Sequence, residues 1–311
     1  MVTTNALSSK TKENQEALNH YCATLDWNVT RLRTALHSTG LSNEQLYLAA
    51  PNEAIIDFLA EFLTITSSSL LTIIGSNGYG KSALKEFSLR ALVDDPRFLA
   101  FSVDNPGSLK PYQLVASIFH NINPDLKCPR STGSLLGALE RELVELRCGG
   151  RTTLIWVDEG QKLKIEQVGM LRAISDIKTS DGELVCKIVI IGTQDLQKHL
   201  IEWLERYPEE AGAFDDRCGF YTITLNPWSE NHINEWVTQL HKYAAQSKKS
   251  RNPFDSSSIS MIHAISEGKP RSIVQLAQMA LNYKAKRYFH NSDEALLISA
   301  EDIQSIINKR G

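Results

Sequence analysis

The chain has 311 residues, 42% of them hydrophobic and 22% charged, which allows one large domain or two modest ones and excludes global disorder. A net charge of −3 and a pI near 6.3 exclude a strong overall field toward nucleic acid or an anionic membrane, so any such contact has to be a local basic surface. Five cysteines without a CxxC pair exclude a disulfide framework and a zinc site, and they read as reduced thiols.

Residues 1–18 are polar and read as a poorly ordered arm. They lack the apolar stretch of a signal peptide. Nowhere does a run approach the ~18 apolar residues of a membrane span. A cytoplasmic protein with no membrane partner is expected. From Trp27 to Leu48 two short helices are predicted, with Gly40 between them and capping-box spacing from Ser42 to Gln45. Beyond Pro51, the spacing of Ile55, Leu59, Phe62 and Leu63 predicts a buried helix.

Strand and helix then alternate. Strands are predicted at 70–75, 98–103, 153–157, 187–191 and 220–225. Helices are predicted from Lys81 toward Leu92, from Pro111 to Ile122 and along Leu136, Leu139, Leu143 and Leu146, with another between the strands at 153–157 and 187–191. Continuous apolar strands separated by helices imply a parallel sheet covered on both faces, an α/β class. After Pro227 the pattern turns all-helical. Ile273, Leu276, Ala277, Ala280 and Leu281 form one apolar face. Ser299, with Asp302 three positions on, starts a last helix backed by Ile303, Ile306 and Ile307. Three segments are expected: an arm with accessory helices over 1–50, an α/β nucleotide-binding domain over 51–227, and a helical domain over 228–311.

The sequence Gly75-Ser76-Asn77-Gly78-Tyr79-Gly80-Lys81-Ser82 matches G-x-x-x-x-G-K-[ST] in full, with an apolar strand before it and a helix, running through Ala83, after it. Glycines let the backbone turn several N–H groups toward one phosphate, and the helix N-terminus adds its dipole. In such a loop Lys81 reaches the β- and γ-phosphates, and Ser82 is a ligand of Mg2+. ATP and Mg2+ are the cofactors expected. The strand 153–157 delivers Asp158-Glu159 at its tip, about 76 residues after the loop. Asp158 is placed to hold the metal and Glu159 to act as general base toward water.

Three further positions are candidates. Thr193 or Gln194, after the strand 187–191, is a polar group beside the γ-phosphate or a simple helix cap. Arg217, before the strand 220–225, is a finger reaching a neighbouring subunit's ATP or an ion-pair partner of Asp215 or Asp216. Arg271 opens the helix 272–281 and is a nucleotide-sensing arginine or a surface charge.

The segments GSNGYGKS (75–82), LIWVDEGQKL (154–163), VIIGTQDL (189–196), DDRCGFYTITLNPWS (215–229) and EGKPRSIVQLAQMAL (267–281), taken together, resemble the AAA+ ATPases grouped with ExeA, TniB and TnsC. The Mu B transposition ATPase and the archaeal replication initiators are more distant relatives. The resemblance implies a P-loop AAA+ domain followed by a small helical lid, with ATP bound between subunits of a homo-oligomer. It also implies that Lys81, Asp158, Glu159, Thr193, Arg217 and Arg271 fill the phosphate-loop, magnesium, base, first-sensor, finger and second-sensor positions.

The function expected is that of an ATP-dependent regulator of transposition that hydrolyses ATP slowly, assembles on duplex DNA and recruits a transposase. An energising ATPase for secretion or conjugation and a nucleotide-dependent, protein-binding switch are the alternatives. Three basic clusters are candidate phosphate contacts: Lys162 with Lys164, Lys248 with Lys249 and Arg251, and Lys284 with Lys286 and Arg287 beside Tyr283, Tyr288 and Phe289. The same clusters also read as ordinary solvated surface.

Overall fold

The computed structural model describes residues 4–36, 50–65, 67–218 and 222–309. In chain order the helices are α1 (Thr4–Leu25), α2 (Val29–Leu36), α3 (Ala50–Thr64), α4 (Lys81–Val93), α5 (Pro111–Ile122), α6 (Thr132–Cys148), α7 (Ile165–Ser175), α8 (Gln194–Arg206), α9 (Pro208–Cys218), α10 (Glu230–Ala244), α11 (Ser256–Ser266), α12 (Pro270–His290) and α13 (Ala300–Asn308). The strands are β1 (Leu70–Ile74), β2 (Phe98–Val103), β3 (Thr152–Val157), β4 (Cys186–Gly192) and β5 (Thr222–Thr224). Two compact units result, one of Ala54–Asn226 and the other of Met1–Glu53 with Pro227–Gly311.

The first unit is a five-stranded sheet in the order β2-β3-β4-β1-β5, every pairing parallel. Side chains alternate across it, as the pleat requires. Ile155, Val157, Ile188 and Ile190 face a core built with α5, α6, α7, α8 and α9. Leu154, Trp156, Val189 and Ile191 face a second core built with α3 and α4. With both faces covered, the three central strands are almost wholly buried, which is why they read as unbroken apolar runs.

The second unit is helical, with one core that joins α1 and α2 to α10, α11, α12 and α13. Here the expectation of a poorly ordered arm over 1–18 is corrected. Those residues from Thr4 onward belong to α1, whose apolar stripe is confined to its second half, where Leu18, Tyr21, Cys22 and Leu25 pack into the core. The Tyr21 hydroxyl donates to the Leu296 carbonyl, and Asn28 N–H donates to Ala244 O at 2.7 Å. Of the two helices predicted between Trp27 and Leu48, α2 is the first. The second, with Gly40, Ser42 and Gln45, lies outside the described residues.

The last helix starts as its sequence dictates. Asp302 N–H donates to Ser299 Oγ at 3.3 Å, and Ser299 N–H donates back to Asp302 Oδ2 at 3.0 Å. Gly268 has φ +70°, and a Cβ there would meet the Trp228 carbonyl oxygen at 2.3 Å, so only glycine fits at this turn into α12. Among the described residues no helix is long and apolar enough to cross a membrane.

Candidate functional site

Parallel strands deliver their loops to one edge of a sheet, and three of these strands deliver the residues singled out above. The loop Gly75–Gly80 leaves the carboxyl end of β1 and enters α4. Gly78 and Gly80 take φ of +87° and +88°, the left-handed backbone that glycine adopts freely. Gly75 is pressed against Leu225, where a Cβ would lie 2.9 Å from the Leu225 Cβ. The Lys81 ammonium folds back over the loop and donates to the carbonyls of Gly75 and Ser76 at 2.6 and 3.0 Å. Ser82 and Ala83 complete the first turn of α4.

Asp158 and Glu159 follow β3 at the same edge. Asp158 Oδ1 accepts the Glu159 N–H at 2.8 Å. Glu159 is held at φ 57°, a conformation that costs a residue with a side chain on the order of 1–3 kcal/mol and is found at working sites. Its carboxylate accepts from Gln161 Nε2 at 2.7 Å and pairs with Lys162 Nζ at 3.2 Å. Gln161 Oε1 in turn accepts the Thr193 N–H at 3.1 Å. Glu159 and the end of β4 are thereby tied through one amide side chain. Two glycines permit the approach. A Cβ at Gly160 would lie 2.5 Å from Ile190 Cγ2, and one at Gly192 would lie 3.0 Å from Gln161 Oε1. Gln161 is a site residue that the sequence does not single out. It follows the acidic pair by two positions, and no spacing rule links it to Thr193, 32 residues away.

Lys85 is likewise silent in the sequence. It stands about one turn beyond Lys81 on the buried side of α4, and its ammonium sits 2.8 Å from both Asp104 Oδ1 and Asp158 Oδ2. Burial alone would lower its pKa. The hydrogen bonds and charges of the two carboxylates outweigh burial, and the net direction is upward.

Thr193 is the N-terminal residue flanking α8, whereas Gln194 lies within the helix and is exposed. Arg217 is not brought to this edge. It lies on α9 and ion-pairs with Asp176, just past α7, which holds its pKa up, with Asp216 adding to the field. Its own carbonyl accepts from the Ser68 hydroxyl, beside the amino end of β1. One strand length, roughly 17 Å, separates that end from the phosphate loop. Arg271 belongs to the helical unit, exposed at the second position of α12.

The basic cluster at the end of α12 is corrected. Lys284 is 3% exposed, and its ammonium pairs with Glu294 Oε1 at 2.9 Å and Asp302 Oδ2 at 3.0 Å. Arg287 pairs with the same two carboxylates at 3.0 and 3.2 Å. This network fastens α12 to the start of α13, and of the three cations only Lys286 is left to solvent without a partner among the described residues. The carboxylates are supplied 10 to 18 residues downstream of Lys284, beyond the reach of a local reading. Lys284→Met is expected to cost about 1–3 kcal/mol in urea unfolding, because it removes the buried ammonium and leaves Asp302 and Glu294 to Arg287 alone. Burial pushes the Asp302 pKa up, but the Ser299 N–H and the Lys284 ammonium outweigh it, and the net direction is down. The Lys284 hydrogen bond likewise holds Glu294 down. A depressed folded-state pKa contributes stability above the ordinary carboxylate value near 4, lost as pH falls through the folded value. The wild type's advantage over Lys284→Met is therefore expected to shrink below about pH 4.

Among the described residues no three His, Cys, Asp or Glu gather as a self-standing metal site. The oxygen donors of Ser82 and Asp158 suit Mg2+, which is bound by one or two protein groups together with phosphate oxygens.

Residues 65–200 match the family described as AAA domain. No curated protein matches the sequence. Among solved structures, the chain is similar to the ORC2 protein of Aeropyrum pernix in ADPNP–ADP complexes, at 14% identity and a TM-score of 0.61, covering 89% of this chain and 71% of that one. It is similar to Cdc6p of Pyrobaculum aerophilum at 18% identity and a TM-score of 0.57, covering 88% and 70%. The A. pernix ORC1 protein in complex with DNA follows at 16% identity and a TM-score of 0.54, covering 85% and 66%. The chain thus spans about two thirds of the length of these proteins. Its fold is that of the P-loop AAA+ proteins, a parallel sheet with helices followed by a helical region, and the family match lies over residues 65–200.

Proposed function

We propose that this protein is an ATPase that binds Mg-ATP at the loop Gly75–Ser82, hydrolyses it between subunits of a homo-oligomer and assembles on duplex DNA. The observation that carries the reading is the meeting of the phosphate loop, Asp158, Glu159 and Thr193 at one edge of the sheet, tied together by Lys85 and Gln161. The loop N–H groups and Lys81 bind the phosphates, with Tyr79 beside them. Ser82 and Asp158 hold Mg2+, which neutralises charge on the phosphate oxygens. Glu159 takes the proton of the attacking water, and Gln161 aims its carboxylate. Thr193, rather than the exposed Gln194, orients toward the γ-phosphate. Arg217, on the far edge from its own loop, serves a neighbour's site in trans. Arg271 senses nucleotide from the helical unit, which acts as a lid.

The finer reading, regulation of transposition with a transposase partner, rests on the resemblance of the motif-bearing segments to the TniB and TnsC group. DNA binding is supported by the fold shared with the ORC1 protein solved on DNA. With Lys284 and Arg287 committed to ion pairs, the exposed Lys164, Lys248, Lys249, Arg251 and Lys286 remain to meet phosphates. Fluorescence anisotropy of a labelled duplex is expected to show ATP-promoted binding with little sequence preference. Binding should fall steeply with salt. Replacing Lys248, Lys249 and Arg251 by alanine is expected to reduce the salt slope by about one for each phosphate no longer neutralised. Protein that hydrolyses ATP and oligomerises but ignores DNA at low salt would instead be a protein-binding switch.

A further inference from the structure

Lys85 has no place in the phosphate-loop motif, yet its ammonium occupies the carboxylate expected to hold the metal. The arrangement is built rather than incidental. Lys85 is 6% exposed although a lysine is rarely buried, and it spends two of its three donors at 2.8 Å on Asp104 and Asp158. Asp158 Oδ2 takes Lys85 while Oδ1 takes the Glu159 N–H, so both of its oxygens already have a donor. Asp104 follows β2, the strand next to β3, and its side chain is largely exposed. Among the described residues Lys85 is the cation that ion-pairs with Asp104 and Asp158, and without it the two carboxylates form an arrangement that attracts a divalent cation.

We propose that Lys85 is a resident counter-ion that closes the Asp104–Asp158 pair to divalent cations, so that the metal enters only together with nucleotide phosphates. The proposal rests on the assignment of Asp158 to the metal. A tethered ammonium costs a competing ion the work of displacing or sharing its charge, whereas phosphate oxygens arriving with the metal supply ligands that do not depend on Asp158. The protein then avoids holding a bare metal ion between turnovers.

The test uses the full chain without nucleotide, with Mn2+ as the probe, read by electron paramagnetic resonance of free Mn2+ and by thermal unfolding. Wild-type protein is expected to bind no Mn2+ at micromolar concentration and to show no Mn2+-dependent rise in Tm. Lys85→Met and Lys85→Gln, the second keeping a hydrogen-bond donor, are expected to bind Mn2+ at least about tenfold more tightly than the wild type and to gain Tm as Mn2+ is added. Adding Asp104→Asn to Lys85→Gln is expected to remove most of that gain. Micromolar Mn2+ binding by the wild type overturns the proposal, whatever the variants do. So does a folded Lys85→Met or Lys85→Gln protein that binds no more Mn2+ than the wild type. Because no nucleotide is present, failure here is distinct from failure of the phosphate-loop assignment, which nucleotide titration of Lys81→Ala decides.

Discussion

Lys81→Ala is expected to lose ATP affinity by on the order of 10²-fold or more while remaining folded. Hydrogen bonds from an ammonium to phosphate oxygens are charge-assisted, worth about 1.5–3 kcal/mol each, and each 1.4 kcal/mol is tenfold in binding. The folded state gives up less. Lys81 is only half-buried, and its donations to Gly75 and Ser76 stay within its own loop. Losing them costs on the order of 1–2 kcal/mol. Isothermal calorimetry on protein whose thermal unfolding remains cooperative separates the two effects. Wild-type affinity in that protein would remove the loop from the site.

Glu159→Gln is expected to bind ATP with wild-type affinity and to hydrolyse it about 10²–10⁴-fold more slowly, the range that a positioned base contributes. An amide fits the same space and can still accept from Gln161 through its oxygen. It surrenders the ion pair with Lys162, a half-exposed pair worth no more than ~1 kcal/mol. What it lacks is an oxygen basic enough to take a proton from water at neutral pH. A single-turnover assay of phosphate release measures the step directly. Hydrolysis at the wild-type rate would place the base elsewhere.

The parts of this site that sequence reveals are those written in consecutive residues. A phosphate loop is a local object, because its glycines, lysine and hydroxyl all act within one turn, and Asp158-Glu159 is legible because a strand of apolar residues announces its own tip. The sheet is legible for a related reason: strands buried on both faces read as unbroken apolar runs too short to be buried helices. Contacts between distant residues leave no such mark. Lys85 meets Asp158 across 73 positions and Gln161 meets Thr193 across 32, and neither pair has a spacing rule. The same blindness explains the error at Lys284 and Arg287, whose charges look free until Glu294 and Asp302 are folded against them. At α1 the difficulty is dilution. Leu18, Tyr21, Cys22 and Leu25 fall at i, i+3, i+4 and i+7, the spacing of one helical face, but the polar first half of the 22-residue helix dilutes that signal, and the four are enough to seat it in a core.

That core draws α1 and α2 together with α10 through α13, so the helical unit is assembled from chain that lies on either side of the sheet in sequence. During synthesis, α1 and α2 leave the ribosome before the sheet, but the rest of their core is missing until residues beyond Pro227 emerge. At translation rates of about 5–20 residues per second, the 191 positions from Leu36 to Pro227 take roughly 10–40 s. By the end of that interval the α/β unit, contiguous in sequence, has all of its own strands, while the residues beyond Pro227 that share a core with Tyr21, Leu25 and Trp27 have yet to be made. The birth order of the two units is thereby set by connectivity: the sheet is complete before the helical unit, although the helical unit owns the earlier helices.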